Sequence, residues 1–305
     1  MFRGAIAPCI TFFNTKGEID EQLCRWHMEW MLSKGVKGLF VSGTYGSGYM
    51  LSSDEKAIIF EAAKQVSNNY LDTYVIAHIS GPDLASNVSL AKLASEMEMD
   101  AISAINPLYY SYSDNEVLRY YESLINASEV PFFAYNNPEL TGKVLSPSFV
   151  SKVKELGAAG IKDSSVSIRL AASLYAEQKL KNDSFQYIPG TTTGWLGFQK
   201  MGALALIAGM CNYVPELVAA LYNTSFEDDI RAAEIYQITM TLADKLKFGN
   251  SIQTSHICLR ARGYDSGHTR SPMTALCMDI KELAEIDKVI EEATNKVKLI
   301  NKSDF

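Results

Sequence analysis

Short apolar runs alternate along this chain with longer amphipathic ones. The apolar runs are "AIAPCITFF" (5–13), "GLFVSG" (38–43), "TYVIAHIS" (73–80), "AISAIN" (101–106), "PFFAYN" (131–136), "AGIKDS" (159–164), "FQYIPG" (185–190) and "ALALIAG" (203–209). Their length and flanking turn residues predict strands, and their near-continuous hydrophobicity predicts strands covered on both faces. The segments between them carry helical spacing. "EQLCRWHMEWMLSKG" sets Leu23, Trp26 and Trp30 three and four residues apart and stops at Lys34-Gly35. "SSDEKAIIFEAAKQV" opens with Ser52 and Glu55 three apart, a capping box.

Eight strands, each followed by a helix, predict an α/β protein built as a (β/α)8 TIM barrel. The barrel is expected to occupy residues 1–225 as the catalytic unit. The helical pattern from "FEDDIRAAEIYQITMTLADKLKF" onward, residues 226–305, is expected to pack on it as a C-terminal extension. The rival arrangement is an open doubly wound sheet. The absence of a second-domain pattern favours the barrel.

Composition narrows the function classes. The 305 residues are 47% hydrophobic and carry a net charge of −7. That charge repels nucleic acid backbones and anionic membrane surfaces, so neither is an expected partner. Cys9, Cys24, Cys211, Cys258 and Cys277 are odd in number and form no C-x-x-C pair. Reduced thiols in a cytoplasmic protein are expected, with no disulfide framework and no zinc cluster. "MFRGAIAPCITFF" contains Pro8 and runs into "NTKGEID", a strand, turn and helix start in preference to a signal peptide. "GALALIAGMC" is too short to span a bilayer.

In a barrel, chemistry sits where the strands end. Strand six carries Lys162 after the apolar "AAGI", so burial is expected to pull its amine toward the neutral, nucleophilic form. Tyr135 ends the preceding strand, where a phenol can carry protons. The loop "GTYGSG" after strand two lacks both the lysine of a phosphate loop and the dinucleotide glycine order. Two readings stand for it: backbone N–H groups of Thr44 and Tyr45 aimed at one small anion such as a carboxylate, or a plain tight turn. His27, His78, His256 and His268 form no metal-spaced pair, and most are expected to be structural or at the surface; a capping or surface role is expected for His27. "RARGYDSGHTRSP" (260–272) is basic and glycine-rich; an ordered loop or a subunit contact is expected in preference to an anion site.

"GTYGSGYMLSSDEK", "FFAYNNPELTGK", "GIKDSS" and "GYDSGHTRSP", in this order, resemble the dihydrodipicolinate synthase/N-acetylneuraminate lyase superfamily, and most of all the archaeal-type 2-keto-3-deoxygluconate aldolases. The resemblance runs from residue 3 to about 295. It implies a barrel enzyme, usually a tetramer, that forms a Schiff base with pyruvate and needs no cofactor or metal. It implies Lys162 as the Schiff-base lysine, Tyr135 as the proton carrier, and Thr44, Tyr45 and Gly46 as the holders of the pyruvate carboxylate. Tyr109 would complete a relay, often delivered to a neighbouring subunit. Ile207 would present a carbonyl near the pocket, and Ser164, Gly190 and Thr191 would line the sugar-acid site, although Ser164 and the 191–193 threonines serve equally as strand and helix caps. Ser47 stands where the group usually has glutamate, and Leu140 where the synthases carry an arginine. Semialdehyde condensation is therefore not expected. Ser111 and Tyr112 replace the Pro-Arg that goes with phosphorylated sugars. The expected activity is cleavage of non-phosphorylated 2-keto-3-deoxygluconate to pyruvate and glyceraldehyde. The alternatives are another lyase, synthase or dehydratase of the group, or a catalytically silent barrel.

Overall fold

The protein, seen in a computed structural model, is described for residues 1–301. Eight strands, β1 (Gly4–Pro8), β2 (Gly38–Val41), β3 (Tyr74–His78), β4 (Ala101–Ile105), β5 (Phe132–Asn136), β6 (Gly160–Asp163), β7 (Gln186–Pro189) and β8 (Ala205–Ile207), form one sheet in the order β7-β6-β5-β4-β3-β2-β1-β8. Every pairing is parallel. β8 packs back beside β7, so the sheet curls into a (β/α)8 barrel. All eight predicted strands are present.

Helices α1 (Glu21–Ser33), α2 (Ser53–Ser67), α3 (Leu84–Glu96), α4 (Asp114–Asn126), α5 (Pro138–Thr141), α6 (Pro147–Glu155), α7 (Ile168–Lys181), α8 (Trp195–Lys200) and α9 (Pro215–Thr224) follow the strands. Beyond them lie α10 (Asp229–Lys245), α11 (Ser251–Ala261) and α12 (Ile280–Ile300). The predicted capping box of α2 forms, with Ser52 and Glu55 each bonding the other's backbone. The core has two compartments, set by the two-residue alternation of strand side chains. Ile6, Phe40, Ile76, Phe133, Ile188 and Ile207 plug the inside of the barrel. A larger cluster fills the space between sheet and helices and includes Ile257, Leu259, Ile290 and Val297 from α11 and α12.

The first strand is shorter than its apolar run. Cys9 N–H still donates to Phe40 O at 3.0 Å, but Ile10 N–H donates to the Asn212 side chain at 3.1 Å, so the ladder stops there. The chain then leaves the sheet, and Phe13 bridges Ile19 and His268. The expectation of a capping or surface role for His27 is also corrected. His27 is fully buried, and its Nε2 lies 2.8 Å from Asn212 O. The spacing of four and then three residues at Cys24, Met28 and Met31 carries it inward with the apolar face of α1. His256 on α11 is buried too, its Nδ1 2.5 Å from Ser266 O, and both imidazoles meet Phe12 edge-on.

Burial is the main cause that pulls His27 and His256 down to about 4. Both are neutral in the folded chain, whereas the unfolded chain takes up protons from about pH 6.5 downward. Their contribution to stability is therefore full above pH 6.5 and is lost as the pH falls toward 4, by about 3 kcal/mol for each imidazole. Urea melts should show a lower midpoint at pH 4.5 than at pH 7.5. The H27N/H256N double variant should be weaker at pH 7.5 but flatter between the two.

Candidate active site

Side chains on β2 to β6 that follow the inner plug by two residues point into the mouth of the barrel. Tyr135 follows Phe133 on β5, and Lys162 follows Gly160 on β6. The two are direct partners across the parallel ladder. Lys162 Nζ lies 3.6 Å from the centre of the Tyr135 ring and 4.1 Å from that of Phe40. Only 4% of Lys162 is exposed.

Desolvation pulls the Lys162 amine below its ordinary value, with Tyr135 acting in the opposite direction. For Tyr135, burial alone would raise the phenol. The Lys162 charge and hydrogen bonds from Thr44, Ser164 and Asn137 outweigh it and bring the phenol down to about 8. The Tyr135 oxygen accepts from Asn137 Nδ2 at 3.1 Å and shares a proton with Thr44 Oγ1 at 3.4 Å. An amine pulled down by burial and a phenol pulled down by its neighbours, in contact, make a coupled pair between which a proton can pass.

The glycine loop is shaped by its own backbone. Ser42 and Ser47 adopt left-handed φ of 56° and 52°. Gly48 N–H donates to Gly43 O at 2.9 Å, and a Cβ on Gly48 would fall 1.6 Å from Ser42 O, so only glycine fits. Thr11 Oγ1 donates to Gly46 O at 2.8 Å and ties the loop to the end of β1. Among the described residues, the N–H groups of Thr44 and Tyr45 have no acceptor. They form a small unpaired donor cradle beside the Tyr135 hydroxyl.

The other sequence candidates are placed less uniformly. Ser164 and Gly190 touch: a Cβ on Gly190 would lie 2.3 Å from Ser164 Oγ. Thr191 Oγ1 accepts from Thr193 N–H at 3.0 Å, a side-chain turn ahead of α8, whose N-cap residue, Gly194, has no side chain to cap it. Ile207 belongs to the inner plug. Tyr109 has a φ of 79°, is 92% exposed, and among the described residues its ring stacks edge-on against Tyr110 at 4.9 Å. Within one chain it is not joined to Tyr135 or Lys162.

A cavity of about 420 Å³ opens beside the pair, lined by Gly43–Tyr45, Ser47–Met50, His78, Ser80, Ile105, Leu108, Leu140, Asn250–Ile252 and Met273. Of the predicted residues, Thr44 and Tyr45 lie in its wall. Two contributors were not legible in the sequence. His78 had no spacing partner to mark it, although its place at the end of an apolar run was a signal. Asn250, Ser251, Ile252 and Met273 come from the C-terminal part, where no strand end announces them. "GHTRSP" is an ordered tether. Arg270 donates to Gly17 O, to Met50 O at 3.0 Å and to Glu55.

Because the Lys162 charge and the hydrogen bonds from Thr44, Ser164 and Asn137 together outweigh burial at Tyr135, ultraviolet titration should show one tyrosine ionising near pH 8. In K162M that step should move to higher pH, because burial is then opposed only by the hydrogen bonds from Thr44, Ser164 and Asn137. In Y135F it should disappear.

Known proteins resemble this chain along almost all of its length. The model of the dihydrodipicolinate synthetase family matches residues 1–293. An N-acetylneuraminate lyase of Clostridium perfringens is 26% identical over 99% of this chain and 100% of its own length. A 2-dehydro-3-deoxy-phosphogluconate/2-dehydro-3-deoxy-6-phosphogalactonate aldolase of Saccharolobus solfataricus is 27% identical over 94% of each. The solved structure of a double variant of the Sulfolobus solfataricus 2-keto-3-deoxygluconate aldolase superposes with a TM-score of 0.84, at 26% identity over 98% of both chains. With its barrel, its buried lysine and tyrosine, and this match across nearly every residue, the chain belongs to the dihydrodipicolinate synthetase family of lyases.

Proposed function

We propose that this family member is a Schiff-base aldolase that releases pyruvate from a non-phosphorylated 2-keto-3-deoxy sugar acid of the 2-keto-3-deoxygluconate type. The observation that carries the reading is the desolvated Lys162 amine held against Tyr135. On this reading the N–H groups of Thr44 and Tyr45 and the Thr44 hydroxyl take the substrate carboxylate. Lys162 Nζ attacks C2, and the ketone oxygen leaves as water. The iminium so formed is an electron sink. The Tyr135 phenolate takes the C4 hydroxyl proton, the C3–C4 bond breaks, its electron pair passes to the iminium as an enamine, and the aldehyde departs. Protonation at C3 and hydrolysis free pyruvate and restore the amine.

The cavity supports an uncharged aldehyde half. Its lining holds neutral Ser47, Ser80, Asn250 and Ser251 but no lysine or arginine side chain. A phosphate needs cationic, preferably bidentate, partners. Arg262 is spent on Tyr213 O and Glu216, and Arg119 is exposed on α4. The C. perfringens relative supports a second reading, cleavage of an amino sugar acid by the same chemistry. Pyruvate release from a panel of sugar acids separates the two. On this reading the assembly is a homotetramer in which Tyr109 reaches a neighbouring subunit.

Borohydride added with pyruvate should fix an adduct on Lys162, read out by peptide mass. Its absence in the wild-type chain rejects the aldolase reading and favours a silent barrel. K162M should lose the adduct and about a thousandfold or more in kcat, and Y135F about a hundredfold or more. The kcat/KM for 2-keto-3-deoxygluconate should exceed that for its 6-phosphate by about tenfold or more. Equal values reject the preference.

A further inference from the structure

His78 is buried, 5% exposed, and stands in the cavity wall. Its ring meets Tyr135 edge-on at 5.7 Å and lies 5.6 Å from the Phe40 ring, so it belongs to the same cluster as the Lys162 amine. Its Nδ1 is buried without a hydrogen-bond partner, and Nε2 makes no hydrogen bond within the described chain either. Its register partner on β4, Ser103, likewise keeps a buried hydroxyl unpaired. A buried polar group left unpaired is destabilising, so one that stands at a cavity wall is placed for a bond that something entering the cavity can supply.

The neighbours show why this position differs. Ser80, two residues on, is already served. Its hydroxyl accepts from Ile105 N–H at 2.9 Å, and its carbonyl accepts from the buried Lys56 amine. Asn250 Oδ1 caps α11 through the N–H groups of Ile252 and Gln253. Around them much of the wall is apolar, with Met50, Ile105, Leu108, Leu140, Ile252 and Met273, and the remaining polar groups are the hydroxyls of Thr44, Tyr45, Ser47, Tyr49 and Ser251. A hydroxyl entering this part of the cavity meets few groups that can bond it, and His78 is one that is free to do so. Burial, and then the positive charges of Lys56 and Lys162, keep the imidazole neutral. A neutral imidazole has one N–H and one lone pair, so it serves a hydroxyl as donor or as acceptor.

We propose that His78 is a specificity-determining residue that hydrogen-bonds a hydroxyl in the aldehyde half of the substrate. The inference rests on the aldolase reading and deepens it. It assigns selection of hydroxylated aldehydes over their deoxy analogues to one side chain on β3, separate from the Lys162–Tyr135 pair.

The test is condensation of pyruvate with glyceraldehyde against condensation with propanal, which lacks both free hydroxyls. The kcat/KM ratio is measured for the wild type, H78F and H78N. The borohydride trap on each variant reports whether the barrel mouth is folded. H78F should lower the glyceraldehyde-to-propanal ratio by about tenfold or more, the scale of a lost hydrogen bond that leaves a polar partner unpaired. H78N, which keeps a donor and an acceptor, should recover part of it. A ratio in H78F within about twofold of wild type overturns the inference. So does an equal fall for both aldehydes, or a wild type that traps pyruvate yet does not prefer the hydroxylated partner. If the wild type traps no pyruvate, the aldolase reading itself fails and the inference falls with it.

Discussion

The site depends on keeping an amine out of water at the mouth of a closed parallel barrel. Lys162 has no carboxylate beside it to justify burial. Its surroundings are the faces of Tyr135 and Phe40, which accept a cation weakly and leave desolvation in control. The barrel supplies the enclosure. Six of the strands are paired on both sides, β7 and β8 lie against each other to bring the sheet round, and the alternating side chains divide into an inner plug and an outer shell. Lys162 and Tyr135 end up one layer above the plug because each follows it by two residues. Neither the twist of a helix nor the freedom of a loop enters their positioning.

The carboxylate next door is kept apart by the same alternation. Asp163 is fully buried, but on the opposite face of β6. There it accepts from Asn136 Nδ2 at 2.7 Å, from Ser165 Oγ at 2.6 Å and from Tyr187 OH at 3.0 Å. With its oxygens occupied on the helix side, its charge does not appear among the influences on the Lys162 amine. The lysine thus stays an isolated base although an acid is its chain neighbour.

What the sequence disclosed follows from the range of the forces involved. Apolar runs and caps are local, so eight strands and the Ser52–Glu55 box were readable from spacing alone. Lys162 stood out because an amine after "AAGI" violates the local pattern. The short β1 was not readable, because its end is set by Asn212, about two hundred residues away. His27 was misplaced for a related reason: a histidine beside a tryptophan on a helix is ambiguous until the helix's partner face is known. The cavity wall from 250–252 and 273 depends on how the C-terminal segment lies across the barrel, which no periodicity records. The unpartnered state of His78 is a property of its neighbours on three strands and is invisible from its own sequence.

The Arg270 tether binds that wall to the barrel. One guanidinium reaches Gly17 O, Met50 O and the Glu55 carboxylate, and so joins the first turn after β1, the end of the glycine loop and the capping box of α2 to the segment bearing Met273. The Lys162–Tyr135 pair is thereby built into strands, while much of the cavity's outer face hangs on a segment anchored at a few polar contacts. Such a division lets lineages diverge in what they accept without disturbing how they react, since drift in the appended part leaves the ladder register untouched. A single ancestral chemistry can in this way be redistributed over many carbon skeletons, with diversification concentrated where the chain is least constrained.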